Sequence, residues 1–301
     1  MPKFVKRALL LLVVLAMLPA SLYGCTGGTE PTPPGASDSG SQPSAAQSGE
    51  LPNGNSVTVG IAQDLSNLDP QLAATAGIRE VLFNIFEGLV KASPDGSVTP
   101  AVASDYELSE DGKTYTFTLR EGVTFHNGET VTVEDVVYSL ERCAGSENDG
   151  TPLVSAFSNA VSIEAVDESH VAVTLAEPST EFINALTSPV IPAGSGPSIT
   201  ETMVGTGPFR FVSYAPQDNL VMEKYDGYWN QEKAAKLDKV TFKIITDTNA
   251  LVVGLKGETL DLVLHLPNTL ENEVKDDFTV LQDTMKLVQA LYLNNAVEPF
   301  N

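Results

Sequence analysis

Cysteine, histidine and basic side chains are scarce in this 301-residue sequence. The three histidines, His126, His170 and His265, are far apart and form neither an HExxH motif nor an i,i+4 pair, which excludes a local zinc motif. No Gly-x-Ser-x-Gly elbow occurs, and the glycine steps Gly194-Ser195-Gly196 and Gly205-Thr206-Gly207 lack the Lys-Ser/Thr that completes a phosphate cradle. The 17 Lys and Arg face 39 Asp and Glu, leaving a net charge of −22 that repels phosphate backbones and argues against a nucleic-acid partner. After residue 24 no apolar run approaches the roughly 20 residues that a membrane helix needs. With no nucleophile–base pair, metal cluster or paired carboxylates legible, neither an enzyme nor a cofactor or metal is expected.

What is present begins with an address. Lys3, Lys6 and Arg7 precede an unbroken apolar run, Ala8 to Leu18, which has the length of a secretory signal core rather than a membrane span. The run leads to Leu22-Tyr23-Gly24-Cys25, which resembles the lipobox of bacterial lipoproteins. Residues 1–24 therefore read as a signal peptide, and Cys25 as the acylated first residue of the mature chain. Thr26 to Asn55 consists mainly of Gly, Pro, Ser, Thr and Ala, with Leu51 its one large apolar residue. Such a segment buries too little surface to offset the entropy of ordering. Residues 25–55 are thus expected to form a disordered tether reaching roughly 30 Å. Loss of the signal removes three cationic side chains and takes the charge from −22 to about −25. Acylation of Cys25 would leave only Cys143, so no internal disulfide is expected, and Cys143 reads as a structural thiol at a helix end.

From Ser56 the pattern is that of a mixed α/β body, and 42% hydrophobic residues suffice for a substantial core. Val57, Val59 and Ile61 alternate with Thr58 and Gly60, predicting a half-buried strand, followed by a turn at Asn67-Leu68-Asp69-Pro70. Apolar residues from Ile78 to Leu89 recur at three- and four-residue spacing and predict one amphipathic helix. Thr114 to Leu119 alternates as a strand, flanked by Asp111-Gly112 and Asn127-Gly128 turns. Thr132 with Glu134 and Asp135 predicts the capped start of a helix running to Arg142. Hairpins are expected at Val161–Val166 with His170–Leu175, and at Phe209–Tyr214 with Leu220–Tyr225. Strands follow at Lys239–Ile245, Leu260–Leu264 and Leu287–Leu293, and helices at Thr248–Lys256 and near Leu270–Lys275. The abrupt stop at Asn301, after Asn294-Asn295 and Pro299-Phe300, is expected to be a cut.

One stretch is recognisable. Tyr115-Thr116-Phe117-Thr118-Leu119-Arg120-Glu121-Gly122-Val123-Thr124-Phe125-His126-Asn127-Gly128, with Thr132 to Leu140 after it, resembles the hallmark segment of the family 5 extracellular solute-binding proteins. These are the dipeptide-, oligopeptide- and nickel-binding components of ABC importers. Asn67-Leu68-Asp69-Pro70, Gly205-Thr206-Gly207-Pro208-Phe209, Tyr225-Asp226-Gly227-Tyr228-Trp229, Gly257-Glu258 with Asp261, and Leu293-Asn294-Asn295 agree in order and spacing.

The resemblance implies a two-lobed periplasmic-binding-protein type II fold with an extra domain inserted in the first lobe. On that reading residues 56–84 and 201–266 form the first lobe, 85–200 the insert, and 267–301 the start of an incomplete second lobe. It implies a lipid-anchored protein on the extracytoplasmic face of the cell membrane, delivering a di- or oligopeptide to ABC permease subunits. A peptide-sensing lipoprotein on the same fold, and nickel-chelate, oligosaccharide or haem ligands, are alternatives. The ligand-lining positions it implies are Asp64, Leu65, Asn67, Phe157, Leu264, His265 and Met285. Partners for a peptide terminus would lie beyond Asn301, and because the second lobe is barely begun the 301-residue chain by itself is expected to bind ligand weakly. Trp229, Tyr228 and His126 read as scaffold rather than ligand contacts.

Overall fold

A computed structural model describes residues 55–282 except 74 and 94. In chain order the strands begin with β1 (Ser56–Ile61), β2 (Val90–Ala92), β3 (Val98–Pro100), β4 (Ala103–Leu108), β5 (Thr114–Leu119), β6 (Ala160–Ala165) and β7 (His170–Leu175). They continue with β8 (Phe209–Ala215), β9 (Asn219–Lys224), β10 (Lys239–Ile244) and β11 (Leu262–Val263). The α-helices are α1 (Ala76–Leu82), α2 (Val133–Cys143), α3 (Ile199–Thr202), α4 (Thr248–Lys256) and α5 (Glu271–Val274). All described residues belong to one compact unit, Gly49–Asn301.

Two sheets organise the unit, alongside the short β2–β3 ladder. The first has the order β11-β1-β10-β9-β8, with β1 parallel to both β10 and β11. Its second half is the antiparallel run β10-β9-β8. The other sheet, β4-β5-β7-β6, is antiparallel throughout and contiguous in sequence.

The alternation in β1 predicts one wet face, yet Val59, Gly60 and Ile61 are all buried. The reason is a cover on both sides. Val59 and Ile61 pack with Leu82, Leu220 and Phe242, while α4 and the segment before β11 close over Gly60. A Cβ on Gly60 would stand 2.7 Å from side-chain carbons of Leu251 and Leu260. Parallel strands flanked by crossover helices lose their solvent face in this way.

The helix predicted from Ile78 to Leu89 stops at Leu82. Asn84 turns its amide onto the Glu80 and Val81 carbonyls, and the next residues bond elsewhere. Gly207 donates its N–H to the Ile85 carbonyl and Phe209 donates to that of Asn84. Ile85, Phe86 and Leu89 are buried as their periodicity implies, but by tertiary packing of a turn and the irregular chain after it. The Asn127-Gly128 turn also carries less than predicted, a single antiparallel bridge between Thr124 and Thr130. The other hairpins lie within a residue or two of expectation. β11 is shorter, and Asn268–Leu270 before α5 is a 3-10 turn.

In α2 the capping box is complete. The Thr132 hydroxyl receives the Asp135 N–H, and the Asp135 carboxylate receives the Thr132 N–H at 2.8 Å. The helix lays Val136, Leu140 and Cys143 onto the core beneath the β4-β5-β7-β6 sheet, beside Phe117, Val171 and Phe125. Burial there pushes the Cys143 thiol up to about 12, which makes it an inert core residue. Its opposite side fastens the two sheets together. Arg142 donates to Asp69 Oδ2 at 2.6 Å, to Gln71 Oε1 at 2.6 Å and to Glu147 Oε2 at 3.0 Å. Gln71 in turn donates to the Ser139 and Pro189 carbonyls. Arg142 and Asp69 are 6% and 5% exposed, so each needs the other to remain charged away from water.

Candidate ligand site at the carboxyl ends of β1 and β11

Open α/β sheets tend to bind ligands beyond the carboxyl ends of their parallel strands, where loops diverge. Here the two chains leaving those ends are Ala62–Leu68 after β1 and Leu264–His265 after β11. A cavity lies on each side of the first.

The first cavity, about 320 Å³, lies between the end of β1, the end of β11 and α1, with Gln63, Glu80, Leu264 and His265 on its wall. Gln63 is held by a 2.6 Å hydrogen bond from its amide to the Thr75 hydroxyl. His265 Nε2 lies 2.7 Å from Glu80 Oε2, an exposed pair that spans β11 and α1. The His265 backbone is left-handed, at φ 56°. A non-glycine residue in that region costs of order 1–3 kcal/mol, held here by the surrounding structure. The strained turn aims the ring back across the cavity mouth instead of along the strand.

The second cavity, about 490 Å³, lies between the Asp64–Leu68 loop, Thr200 and the β8–β9 turn, with Tyr214 and Gln217 facing it. The Tyr214 hydroxyl donates to the Leu65 carbonyl at 2.9 Å and so fixes the height of the loop. Asn67 Oδ1 accepts the Asp69 N–H at 2.9 Å, which forms the turn. Burial, and then the charge of Asp64, raise the Tyr214 hydroxyl above its ordinary range.

Five of the positions inferred from the sequence come together here: Asp64, Leu65 and Asn67 at the second cavity, Leu264 and His265 at the first. Leu65 is 2% exposed, so it offers the cavity its backbone while its side chain serves the core. Phe157 lies elsewhere. Its ring is 1% exposed and packs edge-on against Phe182 at 5.2 Å, in the core of the four-stranded sheet, and it lines neither cavity. Cys25 and Met285 lie outside the described residues. The sequence reading missed Gln63, Glu80, Tyr214 and Gln217. Glu80 carried a faint signal as an acid on the polar side of an amphipathic helix. Tyr214 carried none, because only the fold brings the end of β8 to the loop after β1.

The recognised motifs meet behind this site as scaffold. The Gly205 N–H donates to His126 Nδ1 at 3.3 Å, so Nε2 carries the ring proton and donates to the Gly207 carbonyl at 3.0 Å. Burial, reinforced by the charge of Arg210 and opposed by the Gly207 bond, pushes this imidazole down to about 4. A Cβ on Gly207 would lie 2.5 Å from the Asn84 carbonyl oxygen, so the approach needs glycine. Glu87, 7% exposed, accepts from Lys91 at 3.0 Å, from the Tyr228 hydroxyl at 2.8 Å and from Trp229 Nε1 at 2.6 Å. The Arg120 guanidinium stacks 4.2 Å from the centre of the Trp229 ring. These groups are consumed by one another. Among the described residues, no three His, Cys, Asp or Glu side chains converge as metal ligands would. No described helix is long and apolar enough to cross a membrane.

Residues 97–301 match the family described as bacterial extracellular solute-binding proteins, family 5. The chain belongs to that family, and its mixed α/β fold is the one found in type II periplasmic binding proteins. It is 28% identical to the dipeptide-binding protein DppE of Bacillus subtilis (strain 168), over 93% of this chain and 54% of that protein. To the glutathione-binding protein GsiB of Salmonella typhimurium it is 30% identical, over 70% of this chain and 42% of that one. Among solved structures it resembles the PBP AgaA from A.tumefacien R10 in complex with agropinic acid, with a TM-score of 0.68 and 31% identity. That match covers 73% of this chain and 46% of the other. The chain spans about half the length of the curated relatives it matches.

Proposed function

We propose that this chain is the first part of a receptor that captures a small peptide outside the cell and hands it to the permease of an ABC importer. The observation that carries the reading is the pair of cavities flanking the Ala62–Leu68 loop, at the carboxyl ends of parallel strands, in a chain of this family. The work is binding rather than catalysis, and ligand contact by Asp64, Leu65, Asn67, Leu264 and His265 is part of the proposal. So is the layout of a first lobe at 56–84 and 201–266 around an insert at 85–200, with a second lobe beginning at 267. Closure of two lobes on a ligand that touches both is the motion this layout supports. Cys25 is proposed as the lipid anchor and residues 25–55 as its tether.

The dipeptide and glutathione of two relatives favour a peptide, whereas the agropinic acid complex favours a small organic acid as a second reading. Mass spectrometry of small molecules released from the purified full-length protein separates them. Peptides in the released fraction, with saturable binding of the same peptides by calorimetry, support the first. A non-peptide acid alone would replace it. For the anchor, labelling with a palmitate analogue should mark wild-type protein and leave Cys25→Ser unmarked.

A further inference from the structure

The second cavity holds a charge without a partner. Asp64 makes no hydrogen bond or ion pair among the described residues, and its Oδ1 is closed off from solvent with no donor. The neighbouring hydroxyl does not serve it, because Tyr214 donates to the Leu65 carbonyl at 2.9 Å. Arg79, the nearest cation in sequence, is turned to the Ala73 carbonyl at 2.7 Å. Neither cavity lining contains a lysine or arginine, and Glu80 adds a second carboxylate beyond the loop.

Asp64 is partly buried, and a carboxylate with one oxygen shut off from water and given no donor is an unfavourable arrangement that folding alone does not explain. The other neighbours on its cavity include Ser66, Asn67, Thr200 and Gln217, which would solvate a polar guest without neutralising Asp64. We propose that Asp64 is the seat for a cationic group of the ligand, an ammonium or guanidinium entering the second cavity. The inference deepens the solute-binding reading and rests on it. An unpaired carboxylate prefers a compact, hydrogen-bonding cation over a neutral chain of equal length, so the site selects for charge rather than size.

The cation could come from the ligand's α-amino group or from a basic side chain, and two arms of one experiment separate these sources. Calorimetry with the full-length protein would compare tripeptides carrying lysine at each position in turn with their norleucine counterparts, and free with N-acetylated forms. Wild type should favour lysine at one position, or the free amino terminus, by about tenfold, and Asp64→Asn should erase that preference. Unaltered preferences in Asp64→Asn, or none in wild type, would overturn the assignment while leaving solute binding intact. Failure of wild type to bind any of the peptides would remove the peptide reading itself, and the inference with it. Without ligand, the Asp64→Asn melting temperature should equal or exceed that of wild type, because no native donor is lost. A fall of more than about 4 °C would mean that Asp64 serves a structural partner, and the assignment would be wrong.

Discussion

The two sheets of this molecule solve opposite problems. In β4-β5-β7-β6 every strand pairs with a neighbour close in sequence, and the inward side chains Tyr115, Phe117, Val171 and Val173 are buried to 2% exposure or less. The β11-β1-β10-β9-β8 sheet gathers distant strands, leaves cavities at its parallel ends and tolerates a left-handed His265 and a solitary Asp64. One sheet is built for stability and the other for a site. The proposed site carries one unsatisfied carboxylate oxygen and two left-handed residues, Gln217 and His265, whereas the core of the other sheet is closely packed.

That contrast can be broken by substitutions that separate stability from binding. Phe117→Ala, at a side chain with no exposure, should cost about 4 kcal/mol in urea unfolding and leave ligand affinity of the folded fraction unchanged. Arg142→Leu strips Asp69 and Gln71 of their donor and should cost about 3 kcal/mol. It tests the joint between the sheets, so it should also loosen the 64–71 loop in hydrogen exchange. A large loss of affinity from Phe117→Ala, or none of stability from Arg142→Leu, would erase the division of labour.

His126 sharpens the comparison through pH. The unfolded chain takes up its proton near 6.5 and the folded chain only near 4, so the unfolded state binds more protons between these values. Its contribution to stability is therefore complete above about pH 6.5 and is lost as the pH falls toward 4. The slope is at most about 1.4 kcal/mol per pH unit. Urea midpoints measured across that window should fall less steeply for His126→Gln. The smallest stability effect belongs to Glu80→Gln. The exposed Glu80–His265 pair is worth less than about 1 kcal/mol, so unfolding should hardly move while ligand affinity does.

Much of the fold was legible because local chemistry determined it. Thr132 and Asp135 cap α2 as their spacing implies, and the alternation of Thr114 to Leu119 became β5. Legibility failed where tertiary contacts outvoted periodicity. Ile85, Phe86 and Leu89 keep helical spacing, yet the glycines at 205 and 207 draw the backbone there into other hydrogen bonds. The candidate site was half legible. The turn residues Asp64 and Asn67 stood out by position after the first strand, but Tyr214 and Glu80 join them only through β1, α1 and β8 meeting in space. Phe157, placed at the ligand by family resemblance, is spent on Phe182 in the core of the four-stranded sheet.

The placement of β1 sets an order of events during synthesis. Val59 finds Phe242 on one side and Leu262 on the other, so β1 emerges from the ribosome long before either neighbour exists. Contacts of such separation form slowly, because loop entropy must be overcome before pairing rewards it. The compact antiparallel sheet can assemble early, but the half carrying the cavities stays open until Val263 has been made. A nascent chain that remains unfinished for that long is one that can still be threaded through a narrow translocation channel.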